Sequence, residues 1–417
     1  MTFDSDTRAA QFDALIDFAK GSQVPTGFGY LDASGTVDSS RPVELWITCR
    51  MTHVFSLASQ MGDLEANVLA THGVKALATY FYDQQYSGWF SAIGHDADNV
   101  QIVDDTKMAY AHAFVVLAAS SAKIAGIEGA ADLLDLALSV QDEFWWEGDQ
   151  AKVCERYDRE FVECEKYRGV NANMHTVESY LAAYDATDER QWLNRAVAIL
   201  NWVVEEASKN NWRVPEHFDE NWNVLPDYNR DRPKDPFRPF GFTPGHGFEW
   251  ARLALHAGAQ LARSAEKVPH WMLEGALELF DRAVADGWNA DGAPGFVYTI
   301  DQNGRPVARE RMHWVACEAI GAAVTLARAL EGNEGFAAGD AERAKDLKAR
   351  AEAWWEYCES YLIEQPGRWW HELDENNQPS TVTWPGKPDA YHVAQMLLLP
   401  ELPLAPTFAR AIKEAIA

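Results

Sequence analysis

Cysteine is scarce in this 417-residue chain: five residues, Cys49, Cys154, Cys164, Cys317 and Cys358, scattered and odd in number. No Cys-x-x-Cys pair occurs, so neither a disulfide framework nor a zinc knuckle is expected. Basic residues are few beside the acidic ones, 36 against 63, for a net charge of −27. Such a field repels phosphate backbones and anionic lipid, which excludes nucleic acid and membrane surfaces as partners. The longest apolar stretch, residues 113–119, is too short to span a bilayer. Residues 1–8 are acidic and lack an apolar signal core, so a cytoplasmic location is expected. Linkers rich in Pro, Gly or Ser are missing, and residues 1–417 read as a single domain. Glycine-rich phosphate loops are also missing, with Gly94 and Gly241 isolated, so no nucleotide cofactor is expected. Nothing in the composition fixes an oligomeric state.

Hydrophobic residues make up 47% and charged residues 24%, as in a soluble globular protein able to bury a large core. Seventeen Trp and fourteen Tyr exceed what packing requires, and flat amphipathic rings suit the C–H faces of sugars. Helical periodicity recurs over residues 8–18, 45–60, 108–124, 131–144, 192–207, 248–261, 273–285, 318–330 and 341–362. No buried strands alternate with these helices, which argues against a TIM barrel or Rossmann fold. Six short alternating segments lie between them, each turning at Gly, Asn or Asp: residues 28–37, 88–103, 154–167, 216–228, 295–308 and 369–383. Six units, each of about two helices and a hairpin, predict an all-α fold, an (α/α)6 barrel with short β-hairpin insertions. An open superhelical array is the rival.

Three of the twelve histidines follow helix-start signals. In Gly241-Phe-Thr-Pro-Gly-His246, Thr243 is the expected N-cap and Pro244 the first helical residue. In Gly386-Lys-Pro-Asp-Ala-Tyr-His392 the expected cap is Asp389, and in Gly169-Val-Asn-Ala-Asn-Met-His175 it is Asn171. A helix N-terminus disfavours imidazolium and keeps the ring able to accept a proton. Glu249, three residues after His246, is expected on the same helical face, placed to orient the ring or share its proton. His246-x2-Glu249 is also a close pair of metal-ligand type, but the positive helix end opposes a cation, so no metal is expected. A lone histidine is more often structural; three in the same placement favour a joint role.

Leu45-Trp-Ile-Thr-Cys-Arg-Met-Thr-His-Val-Phe, Asn171-Ala-Asn-Met-His, Thr243-Pro-Gly-His-Gly-Phe-Glu-Trp and Asp389-Ala-Tyr-His resemble the signatures of the N-acylglucosamine 2-epimerase superfamily. The resemblance extends over nearly the whole chain and is closest to the aldose–ketose isomerase branch, whose members act on mannose or sulfoquinovose. It implies the (α/α)6 barrel and, residue by residue, a set of roles. His246 and His392 match the acid/base pair, and His175 and Glu249 the groups that assist ring opening and proton handling. Arg50, Tyr110, Asn171 and Trp314 match positions that hold a monosaccharide. It implies interconversion of D-mannose and D-fructose, or of D-lyxose and D-xylulose, through a cis-enediol, with no cofactor. Sulfosugar-active members carry glutamines where this chain has His371 and Pro388; proline offers no donor to a sulfonate, which favours mannose.

Three other readings remain open at this stage. A sugar 2-epimerase shares these residues and differs in whether the proton returns to C1 or C2. An (α/α)6-barrel glycoside hydrolase needs two carboxylates about 6.5–9.5 Å apart, for which Asp104, Asp105, Glu178 and Glu249 are candidates. A sugar-binding protein would use the aromatics and Arg50, with no need of three histidines.

Overall fold

The computed structural model describes residues 3–332, 334–337 and 339–417. Alanine, leucine and other good helix formers, interrupted by turn residues, give thirteen α-helices among them. In chain order these are α1 Ser5–Ala19, α2 Leu45–Gln60, α3 Leu64–Ala76, α4 Ala109–Ala125, α5 Ala130–Val140, α6 Val170–Thr187 and α7 Arg190–Lys209. There follow α8 Pro244–Arg263, α9 His270–Gly287, α10 His313–Leu330, α11 Ala341–Tyr357, α12 Tyr391–Leu398 and α13 Phe408–Ile416.

The helices alternate between two kinds. In α8, 18 of 20 residues are buried, and in α2, 14 of 16, so these helices are covered all round. Their followers are one-faced: α9 buries 8 of 18 and α3 6 of 13. That alternation is what antiparallel helix pairs produce when one member is enclosed and the other faces solvent.

Two compact units are present. One comprises residues 15–199, 386–391 and 407–417. In it α2, α4 and α6 pack side by side, α3 lies on α2, α5 lies on α4, and α13 lies against α2 and α4. The other comprises residues 1–14, 200–385 and 392–406. In it α8 packs on α10, with α9 against α8 and α11 against α10.

All six expected hairpins form, as antiparallel pairings between Leu31 and Val37, Ile93 and Ile102, Tyr157 and Cys164, Phe218 and Val224, Ile300 and Pro306, and Leu373 and Pro379. Four of their tips repeat one device. The Oδ1 of Asp32, Asp219, Asp301 or Asp374 accepts the amide N–H groups two and four residues on, at 2.8–3.0 Å. The third residue after each aspartate is left-handed: Gly35, Trp222, Gly304 and Asn377, with φ of 85°, 62°, 76° and 59°. The carboxylate does locally what a longer strand ladder would otherwise do.

Two expected helices end earlier than their periodicity suggests. The run 131–144 stops at Val140 and the run 341–362 at Tyr357, and each passes into a single π-type turn, Gln141–Trp145 and Cys358–Leu362. A π turn keeps apolar residues in helical sequence while redirecting the chain into the next hairpin.

His112 in α4 is 1% exposed, with both ring nitrogens engaged: Nδ1 bonds the Met108 carbonyl at 2.8 Å, and Nε2 accepts the Trp89 amide at 3.1 Å. Burial, with the charge of Lys107 assisting, lowers its pKa from 6.5 to about 3, and burial lowers that of His53 to about 4. Unfolded chain takes up these protons below pH 6.5 while the folded protein does not. Stability is therefore expected to fall as pH drops from 6.5 towards 4, by about 1.4 kcal/mol per pH unit for each ring. Urea midpoints at pH 7.5, 6 and 5 check this; a His112→Gln protein should show a shallower slope by about one proton, and an unchanged slope would contradict the assignment.

Candidate active site

Pro244 opens α8, as the sequence signals, and places His246 third in the helix. Thr243 occupies the N-cap position, yet its side chain makes no capping bond and its Oγ1 is buried without a partner. The expected cap is replaced by Glu216, which lies in the hairpin segment before the helix. Glu216 Oε1 accepts the Thr243 amide at 3.2 Å. Both its carboxylate oxygens also bond His246 Nδ1, at 2.8 and 3.0 Å. One side chain thus starts the helix and orients the imidazole. Glu249, expected to do so, makes no such contact with His246; its Oε1 lies 3.7 Å from Arg252 Nη2.

His392 is the second residue of α12; Asp389, the expected cap, lies two residues before the helix, where its Oδ1 accepts the Tyr391 amide at 2.9 Å. His392 Nδ1 bonds Glu318 Oε1 at 2.9 Å, and the other oxygen of Glu318 accepts Arg252 Nε at 2.9 Å. Burial alone would raise the Glu318 carboxyl, but the Arg252 charge and the His392 hydrogen bond together hold it well below the usual carboxylate range. Glu318 is therefore an anion inside the protein.

A carboxylate only accepts hydrogen bonds, so both imidazoles carry their proton on Nδ1 and present Nε2 as the basic nitrogen. The two rings flank one indole. Trp314 lies 5.4 Å from His246 and 5.6 Å from His392, centroid to centroid, each at an interplanar angle of 35°. Trp314 closes so tightly over α8 that a Cβ at Gly245 would lie 2.5 Å from its Cη2 and Cζ3. The glycine of Thr-Pro-Gly-His is thus a packing requirement. Beside this group His313 stacks on His371 at 3.9 Å and meets His392 edge-on at 6.4 Å.

In the other unit a second cluster contains the remaining expected residues. Arg50, buried in α2, donates Nη1 to Asp389 Oδ2 at 3.1 Å and Nη2 to the Tyr110 hydroxyl at 2.9 Å. Its guanidinium carbon lies 4.5 Å from the ring centroids of both Phe114 and Tyr391. His175 lies in the second turn of α6, and its Nδ1 bonds Glu178 Oε2 at 3.3 Å. The Tyr391 hydroxyl donates to the same carboxylate. Asn171 is not the cap expected of it: α6 starts at Val170 with Gly169 as N-cap, and the Asn171 Oδ1 is left buried with no partner.

Glu216, Glu318, Arg252 and Tyr391 are absent from the sequence-based set. Of these, Arg252 alone carries a spacing signal that could have pointed to it, at i+3 from Glu249. Glu216 and Glu318 lie 30 and 74 residues from the histidines they hold, and only the fold joins them.

Replacing Arg252 by Met should strand the Glu318 anion, at a cost of about 3–5 kcal/mol in stability. Urea denaturation at pH 7 measures this, and a loss below about 1 kcal/mol would show that Arg252 does not carry the charge balance.

Residues 27–396 match the profile of the N-acylglucosamine 2-epimerase (GlcNAc 2-epimerase) family. The chain is 44% identical over 407 residues to a D-mannose isomerase of Thermobifida fusca, covering 97% of this chain and 95% of the relative. It is 42% identical over 404 residues to a D-mannose isomerase of Pseudomonas cannabina pv. alisalensis, covering 95% and 92%. A crystal structure of a D-mannose isomerase superposes with a TM-score of 0.84 at 25% identity, covering 96% of this chain and 98% of that one. The fold class is the one expected from the sequence, an all-α (α/α)6 barrel with short hairpins.

Proposed function

Because the chain belongs to the N-acylglucosamine 2-epimerase family, we propose that it is an aldose–ketose isomerase that interconverts D-mannose and D-fructose in the cytoplasm, with no metal or cofactor. The observation that carries the mechanism is the pair of imidazoles, His246 and His392, each held at Nδ1 by a carboxylate and both facing Trp314. The substrate follows from the relatives, which are D-mannose isomerases at 42–44% identity.

The pyranose opens as His175 or His246 moves the anomeric proton to the ring oxygen. One of His246 and His392, as the neutral ring, then takes the C2 proton through Nε2, and the other, as the imidazolium, gives its Nε2 proton to O1. The cis-enediol collapses to the ketose when a proton returns to C1 and another leaves O2. Imidazoles with Nε2 exposed to substrate suit both directions of transfer, each contributing about 10²–10⁴-fold. Trp314 offers a flat face for the sugar C–H groups. Arg50, Tyr110 and Asn171 are assigned to sugar hydroxyls, and Glu249 to assisting the proton traffic. Hydrogen moves only as a proton, so the route calls on no hydride acceptor. The whole of residues 1–417 is taken as one catalytic domain.

His246→Ala and His392→Ala should each lower kcat by at least about 10²-fold with an unchanged circular-dichroism spectrum. Wild-type protein treated with EDTA should keep full activity, and in heavy water solvent deuterium should appear at fructose C1. Strict metal dependence, or complete retention of the substrate hydrogen at C1, would contradict the mechanism. Chromatography of the products from mannose decides the class: glucose as the main product would assign a 2-epimerase.

A further inference from the structure

All five cysteines carry free thiols, and Cys49, Cys317 and Cys358 are buried in helices or a π turn of the core. Cys154 and Cys164 differ. They lie ten residues apart on one hairpin of the same unit, close enough to one another and to the Tyr157 hydroxyl for the three groups to interact, and the Cys164 Sγ lies 3.5 Å from the Glu165 carbonyl oxygen. Tyr157 and Cys164 are directly paired across the hairpin, and the Glu165 amide closes it on the Arg156 carbonyl at 2.8 Å. Cys154 is fully buried, whereas Cys164 is half-buried and within reach of solvent.

The two thiols are chemically unequal. The interaction with Cys154 brings the Cys164 thiol down to about 7, with the Arg168 charge assisting against burial. That same interaction, together with burial, pushes the Cys154 thiol up. An accessible thiolate with a second thiol already in contact is the arrangement of an attacking and a resolving cysteine. Packing alone asks for neither the contact nor the exposure.

We propose that Cys154 and Cys164 form a redox modification site, at which a hydroperoxide reversibly closes an intra-hairpin disulfide. The Cys164 thiolate attacks a peroxide oxygen, the O–O bond breaks, and water leaves with one proton, giving a sulfenic acid on Cys164. The Cys154 sulfur then attacks the Cys164 sulfur as its own proton departs, the S–O bond breaks, and a second water leaves. Two thiols lose two electrons and one hydrogen peroxide becomes two waters. Thiols already in contact need little backbone movement to reach bonding distance. A dithiol reductant restores the pair by exchange.

The hairpin sits between two helices that carry proposed sugar-binding groups. Its strand Arg156–Tyr157 pairs with Lys107–Met108, and the Glu155 carbonyl accepts the amide of Ala109, the first residue of α4, at 3.0 Å. Tyr110 is the next residue of that helix. After Cys164 the chain enters α6 at Val170, one residue before Asn171. A covalent bridge across this hairpin fixes the segment that leads into both helices.

The test uses the full chain with hydrogen peroxide as the probe. Reduced protein is treated with a few equivalents, denatured, and its thiols titrated. The count should fall from five to three, peptide mapping should show Cys154 joined to Cys164 with loss of two hydrogens, and dithiothreitol should restore five. In Cys154→Ser protein, oxidation should stop at a sulfenic acid on Cys164 that dimedone traps. Retention of all five thiols would overturn the proposal. So would loss confined to Cys49, Cys317 or Cys358, or a dimedone adduct on wild-type Cys164 without the cross-link.

Discussion

Glu318 is a negative charge with almost no water around it, and much of one unit is arranged to keep it there. Arg252 balances one oxygen and His392 bonds the other. An isolated buried carboxylate would cost several kcal/mol and would take up a proton instead. Because the charge persists, it fixes which nitrogen of His392 bears hydrogen. Glu216 does the same for His246 while also holding the start of α8. Stability and chemistry are therefore coupled through the same carboxylates. A side chain that anchors a helix start cannot drift without turning the imidazole, and that rigidity is what proton transfer between adjacent carbons requires.

Trp314 supplies the geometry that two separately anchored histidines would lack. Its indole touches both rings and is seated over Gly245, where any larger residue would collide. The distance between the imidazoles is set by a rigid aromatic spacer. Around this cluster the chain repeats one economical pattern of an enclosed helix, a one-faced helix and a short hairpin. The hairpins are only a few residues long, too short to be stable by strand pairing alone. The recurrent aspartate at four tips compensates, with each carboxylate taking up two amides of its own turn.

Much of this was legible in the sequence, for identifiable reasons. Helix α2 matches its periodic run at both ends because apolar residues recur along its whole length, and Pro244 marks the start of α8 by a rule of backbone chemistry. All six hairpins were visible from their turn residues. Helix α3 was missed because Leu64 and Val68 are exposed, which blurs the apolar stripe, although Asp63 caps it by accepting the Glu65 and Ala66 amides. Helix α13 is short and gave too few turns to show a period. Among the site residues, the histidines were found because each follows a helix-start signal. Their carboxylate partners were not, since no spacing rule connects Glu216 to His246 or Glu318 to His392 across the fold. Asn171 misled because Asn near a helix start usually caps it, whereas here Gly169 takes that position and leaves the amide oxygen unpartnered.

The central claim is that both imidazoles are locked as Nδ1–H tautomers with Nε2 as the working nitrogen. Nitrogen NMR of protein labelled at the histidine rings reads this directly, with His246→Gln and His392→Gln proteins assigning the two signals. In its neutral form each ring should show a pyrrole-like Nδ1 and a pyridine-like Nε2. A neutral ring that carries its single proton on Nε2, in either position, would contradict the account.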